Sequence, residues 1–359
     1  AILGVVLFHT TGFGFTAMFF WAHRYRPVVS PNFDAAGGAA YYWLRLLEQA
    51  FASFCIPAFI FVAGYSAAIL AGRNRTGLNA KSVTSRIQRL LVPYLLWCGI
   101  VLLALALQGR VYAPGRYARM LLTGAANPNY YFIPMLIQLY VLAPLLVWIA
   151  SRHWRVLLAV TGVLQVGMYV LQYGAVVGAE GSAWTAATYA VPKWLFVTHL
   201  FWFCAGMVAA FEPQRFGRLL DRARGVAPVA ALALFAAGVV EWEWLLGISG
   251  SPWRENRTTL VDGFYAAAAI LALLAHSGAF ARVEHRLADL GGKSFGIYLA
   301  HGVVMEYTAR GLYHLWPAVL GIQPLFQAVL IALGLAVPLG LMAALKRSRA
   351  SALYPYVFG

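Results

Sequence analysis

The chain has 359 residues, of which 62% are hydrophobic and 11% charged, with a mean hydropathy of +0.71. Soluble domains sit nearer roughly 45–50% apolar and 25% charged, so this balance excludes a water-soluble globular protein. The formal net charge of +15 would suit nucleic acid, but the basic residues occupy short segments between apolar runs, where membrane topology accounts for them and no nucleic-acid partner is needed.

Runs long enough to cross a hydrocarbon core lie at about 1–21, 47–71, 87–108, 130–150, 154–175, 193–211, 227–247, 260–280, 292–313 and 323–345. They predict an all-α integral membrane protein, a bundle of about ten transmembrane helices forming one domain over 1–359. Ala1 falls inside the first run with no basic n-region before it, so that run reads as a span and not as a signal peptide. Placing segments 72–89, 151–155, 212–226, 281–293 and the C-terminus on one side collects 17 Lys and Arg against 10 on the other. The positive-inside rule then puts both termini in the cytoplasm. The longest segments outside the runs, 22–46, 109–129 and 176–192, fall on the outer side, where a lid over a site would form. Cys55, Cys98 and Cys204 each lie inside an apolar run without CxxC spacing, so they read as small buried hydrophobes, and neither a metal site nor a disulfide framework is expected.

Function must come from polar groups that a bilayer should exclude. His9, in the first run AILGVVLFHTTGFGF, lies near mid-membrane and reads either as a link to a neighbouring helix or as a neutral general base for a hydroxyl. Arg86 and Arg89 lie one turn apart at the start of the third run, in SRIQRLLVPYLLW. Two guanidinium groups beside a helix N-terminus form a phosphate site, and ordinary positive-inside flanking is the alternative. In SFCIPAFIFVAGYSAA, Pro57 interrupts the second run, Gly64 suits close helix packing, and Tyr65 reaches the level of the two arginines, where it suits a pocket wall or packing alike. His301 and Glu306 share the ninth run, and Glu306 has Arg310 as its i+4 neighbour. An ionisable group at that depth is a functional candidate, with a structural ion pair as the other reading. Glu241, Glu243 and Asp262 lie near outer helix ends, where solvated carboxylates are the ordinary reading and a sugar-binding role is the other. Asn127, Asn129, Tyr130 and Tyr131 suit either a carbohydrate or an interfacial loop.

Taken in order, the first-run histidine, PAFIFVAGY, RIQRLLVPYLLW, YYFIPMLIQLYVLAPLL and GKSFGIYLAH resemble the membrane-bound acyltransferase family 3 over essentially the whole chain. The chain departs from the family pattern at Ala63, where a serine usually precedes Gly-Tyr. The resemblance implies an O-acyltransferase that moves an acyl group, commonly acetyl from acetyl-CoA, onto a hydroxyl of an envelope carbohydrate or glycolipid. It gives His9 the catalytic role, associates Arg86 and Arg89 with the donor, and leaves a covalent acyl-histidine relay open beside direct transfer. Tyr65 is expected on the donor side, with His301 and Glu306 on the acceptor side. The competing class is a transporter or flippase that moves a glycan or lipid unchanged. The abundance of Ala and Arg suggests a GC-rich genome, and a bacterial inner membrane is the expected location.

Overall fold

The computed structural model describes residues 1–72, 78–178, 182–255 and 257–359, and among these every regular element is helical. Arg73 and Arg75, which contribute to the basic 72–89 segment, lie outside the described residues.

The helices run in the order α1 (Ile2–Phe15, continued as a π-helix over Thr16–Phe20), α2 (Ala39–Ala71), α3 (Ala80–Leu107) and α4 (Pro114–Thr123), followed by α5 (Phe132–Val177), α6 (Ala183–Ala190) and α7 (Leu200–Phe211). The second half comprises α8 (Pro213–Ser249), α9 (Leu260–Ala275), α10 (Glu284–Gly292), α11 (Ser294–Leu315), α12 (Gln323–Arg347) and a short α13 (Tyr354–Val357). By length and composition six of these helices can cross a membrane, and a seventh crossing is made if α9 and the segment Ser277–Gly292, bent by 61° at the break, count as one span.

All ten apolar runs fall on helix, but the structure divides them differently. The runs at 130–150 and 154–175 are the two halves of α5, which breaks at His153 (φ −133°, ψ 43°) between Arg152 and Arg155. A straight helix of 46 residues would be about 69 Å long, more than twice the hydrocarbon thickness, and the non-helical His153 kinks it between its two apolar halves. The segment 212–226, expected as a loop, is helical from Pro213 onward and forms the first turns of α8. Proline at the first helical position favours that start, because its missing N–H has no intrahelical partner to lose there. The run at 260–280 stays α-helical only to Ala275, after which a 3₁₀ segment takes over.

α1 lies inside the bundle against α2, α11 and α12, with Val5, Val6, Thr10, Thr11 and Gly14 buried. Both threonine hydroxyls donate to carbonyls one turn back, Leu7 O and Phe8 O, at 2.7 Å, so these polar residues enter the bilayer already satisfied. α2 and α7 approach each other backbone to backbone. A Cβ on Gly64 would lie 1.9 Å from Phe203 O, and a Cβ on Gly206 would lie 1.9 Å from Phe61 O. Reciprocal glycines let two backbones touch where lipid gives no hydrophobic drive to associate, and the packing role expected of Gly64 is the one it has.

The C-terminal end folds back on α3. Trp97 Nε1 donates to Val357 O at 2.9 Å, and Phe358, 4% exposed, packs on the Trp97 ring.

Candidate active site

His9 is half-buried on α1, and its ring centroid lies 5.2 Å from that of His301 on α11. His301 is fully buried, with Nδ1 at 3.0 Å from Ile297 O and 2.8 Å from Tyr298 O, both one turn back on its own helix. A neutral imidazole that donates from Nδ1 carries its lone pair on Nε2. That Nε2 is buried without a partner.

On the Arg86 side of the histidines, an apolar cavity of about 230 Å³ opens between α1, α2, α3, α5 and α11, with Val5, Ile56, Ala63, Leu90, Tyr140 and Tyr298 in its wall. Arg86 reaches it through Tyr140: Nη1 donates to the phenol oxygen at 2.9 Å, and the guanidinium carbon stands 5.4 Å from the ring centroid. Arg89, one turn on, is exposed. Asn79 caps α3 by accepting from Ser82 N at 2.7 Å, so the helix starts at Ala80, earlier than the apolar run suggests, and Arg86 and Arg89 lie in its second and third turns and not beside its N-terminus as expected. On the neighbouring α10–α11 turn, Lys293 lies 2.5 Å from Asp289, and the bond from its ammonium holds that carboxyl below the usual carboxylate range.

A second cavity, of about 170 Å³ and polar, opens at the opposite end of the bundle. Phe8, Ile56, Tyr131, Gln165 and His199 are among its lining residues. Ile56 borders both cavities, while Val5 on α1 faces the apolar one and Phe8, one residue before His9, faces the polar one. Val5 and Phe8, on the turn before His9, thus face different cavities, and His9 itself follows next along the helix without lining either.

Behind the polar cavity is a network of carboxylates. Asp262 is 3% exposed; it caps α9 together with Thr259 and also accepts from Gln49 Nε2 at 2.7 Å and Ser53 Oγ at 2.8 Å. Glu241 accepts from the hydroxyls of Tyr173 and Thr259, and Glu243 accepts from Tyr41 at 2.9 Å. Arg45, 1% exposed, binds Glu48 at 2.6 Å and lies over the Trp242 ring. Sequence position suggests solvated carboxylates at 241, 243 and 262; the fold instead gives each of them defined donors, because α8, α9 and α2 pack together there.

The structure brings together His9, His301 and, through Tyr140, Arg86. It sets others apart. Tyr65 is on an exposed face of α2, 38% accessible, while Ala63 and Ser66 line the apolar cavity. Glu306 is paired with Arg310 on the surface of α11. Asn127 and Asn129 order the turn before α5, Asn127 Oδ1 accepting from Asn129 N at 3.0 Å, and Tyr131 lines the polar cavity. Sequence reading missed Tyr140, Gln165 and His199. The available signal was a tyrosine, an amide and an imidazole inside or beside apolar runs, the same test that singled out His9.

Among the described residues no group of three His, Cys, Asp or Glu could hold a metal ion. The acyltransferase domain family model matches residues 1–344. Neither the curated proteins nor the solved structures searched contain a match to the chain. With that match running through α1, the arginines of α3, both halves of α5 and His301, this multi-pass membrane protein belongs to the acyltransferase 3 family and is an acyltransferase.

Proposed function

We propose that the protein is an O-acyltransferase, in the first instance an O-acetyltransferase, that takes its acyl group from acyl-CoA in the cytoplasm and passes it to a hydroxyl of an envelope carbohydrate or glycolipid. The observation that supports this reading is that Val5 and Phe8, on the turn before His9, face respectively an apolar cavity tied to Arg86 through Tyr140 and a polar cavity at the other end of the bundle. Donor phosphates bind Arg86 and Arg89, which offer bidentate guanidinium contacts. The pantetheine arm lies in the apolar cavity with its thioester at His9. An acceptor hydroxyl comes through the polar cavity.

His9 takes the hydroxyl proton as the oxygen attacks the thioester carbonyl, and a tetrahedral oxyanion forms. Collapse of that intermediate breaks the carbon–sulfur bond, and the departing CoA thiolate receives the proton from His9. The products are an ester and free CoA. In this reading His301 holds the acceptor or the passing proton, which its bare Nε2 and its ring contact with His9 support.

In this reading ten helical segments cross the bilayer, the two halves of α5 being separate crossings, and both termini face the cytoplasm of a bacterial inner membrane. The excess of Lys and Arg at the Arg86 end supports that orientation.

The test is transfer of radiolabel from acetyl-CoA to lipid and polysaccharide fractions of membranes carrying wild type or His9→Ala, with folding checked by size-exclusion chromatography. Label with wild type alone, both proteins folded, supports the reading and identifies the acceptor fraction. Equal label with both removes His9 from the chemistry. Label with neither in detergent, together with gradient-dependent movement of the glycan in vesicles, makes the protein a transporter.

A further inference from the structure

We infer that Gln165 and His199 are the specificity-determining pair of the polar cavity, each accepting a hydrogen bond from a hydroxyl of the acceptor, so that the preferred ligand is a polyol presenting two O–H donors to one wall. The inference rests on the acyl-transfer reading for what the bound polyol then undergoes, but not for its binding.

Both residues are oriented by Thr198. Gln165, on the second half of α5, is 4% exposed and donates from Nε2 to Thr198 O at 2.9 Å. That bond fixes which way the amide lies and leaves Oε1 buried with no partner. Thr198 Oγ1 has one proton, and it goes to Leu195 O at 2.7 Å. The same oxygen therefore accepts at its 2.9 Å contact with His199 Nδ1. The Nδ1–H donates, and the neutral ring carries its lone pair on Nε2. One threonine thus orients two neighbouring side chains that both belong to the cavity wall, one with a buried, unmet oxygen and the other with its lone pair on Nε2.

The wall itself is rigidly held. Gln138, on the first half of α5, donates to Trp194 O at 2.9 Å and accepts from Phe196 N at 3.3 Å, which pins the 3₁₀ turn carrying Thr198 and His199. Leaving Oε1 of a buried amide unmet is costly in a bilayer protein, and a preorganised acceptor that the fold does not use is what a site for a donor requires.

The charges at the cavity favour hydroxyls over an ammonium group. Glu48 is bound by Arg45 at 2.6 Å, and Glu255 lies 3.5 Å from Lys193. A cationic ligand would find both carboxylates engaged and Arg257 beside it, whereas a hydroxyl needs only the two neutral acceptors.

The experiment uses the full chain in nanodiscs with two variants. Gln165→Met removes the amide at similar volume, and His199→Asn keeps an N–H near the Nδ1 position for Thr198 while removing Nε2. Apparent KM is measured separately for acetyl-CoA and for the labelled membrane acceptor fraction. Each variant is expected to raise the acceptor KM on the order of tenfold, the scale of one lost hydrogen bond, while acetyl-CoA KM stays within about twofold. An unchanged acceptor KM in both folded variants overturns the inference; if one variant does not elute as wild type, the other decides. If wild type transfers no label, the acyl-transfer reading fails and binding is judged alone, by the shift in apparent Tm given by methyl α-D-glucoside at about 0.2 M. A shift in wild type that the variants lose supports the pair, and no shift in wild type overturns it.

Discussion

Replacing Gly64 with alanine tests how tightly the two cavities depend on one helix contact. The added Cβ would stand 1.9 Å from Phe203 O and 2.8 Å from Phe203 C, where real Cβ atoms essentially never come within 3.0 Å. The α2 and α7 backbones must therefore part by at least about 1 Å, because the obstacle is main chain and not a side chain that can swing away. Overpacking of this kind costs about 1–3 kcal/mol. Gly99 on α3 provides the control, since a Cβ there meets nothing within 4 Å. Gly99→Ala should only relieve the helix penalty of glycine and stabilise by about 0.5–1 kcal/mol. At about 1–2 °C per kcal/mol for a chain of 359 residues, thermal unfolding in mild detergent should show Gly64→Ala melting roughly 1–4 °C below wild type and Gly99→Ala at or above it. Activity should follow, because α7 carries Phe203 against Tyr140 at the apolar cavity and begins beside His199 at the polar one. Equal melting of wild type and Gly64→Ala would refute the argument that backbone contact at Gly64 holds α7 in place.

Tyr140→Phe removes the hydroxyl that accepts from Arg86 and keeps the ring beneath the guanidinium; acetyl-CoA KM should rise about fivefold, from a bond of ~1 kcal/mol, with acceptor KM unchanged, as steady-state kinetics in both substrates would show. Asp262→Ala leaves the Gln49 and Ser53 donors unmet and breaks the α9 cap, so denaturation should show a loss of about 2–4 kcal/mol, and Asp262→Asn, which keeps one acceptor oxygen, should lose less. Glu306→Gln breaks an ion pair whose partners are each more than a third exposed, so stability should change by no more than about 0.5 kcal/mol; a tenfold fall in transfer rate at unchanged stability would give Glu306 a part in the chemistry that its pairing does not suggest.

Much of the scaffold was legible because membrane helices are written in local composition. The apolar runs all became helix, and the Arg152–Arg155 interruption marked the bend at His153 even though hydrogen bonding continues closely enough for α5 to be one element. The helical 213–226 segment was missed because its arginines signal exposure, and an amphiphilic extension beyond the membrane is as exposed as a loop. At the site, His9 and Arg86 announced themselves by charge or polarity in apolar surroundings. His301 did so too, but Tyr140, the partner of Arg86, and the pair Gln165 and Thr198 did not. Arg86 meets Tyr140 and Gln165 meets Thr198 across 54 and 33 positions of sequence, and such pairings depend on how helices pack, which no local pattern encodes. The same limit applies to Glu306: the sequence offered an intramembrane carboxylate and its i+4 arginine together, and only the fold, by placing both on the surface of α11, favours the pair.

The buried polar atoms also separate structure from ligand sites. Asp262, Glu241, Glu243 and the Thr10 and Thr11 hydroxyls all have partners, as an interior without water requires. Among the described residues the buried acceptors left bare are His301 Nε2, Gln165 Oε1 and Gln327 Oε1. The first belongs to the ring beside His9 and the second to a residue of the polar-cavity wall, while nothing in the structure explains the third. Asp262 is met three times over in the same bundle, so the fold can satisfy a buried acceptor where it needs to, and an acceptor left bare in a residue of a cavity wall, as at Gln165, marks a position where the proposed substrate hydroxyl would supply the missing donor.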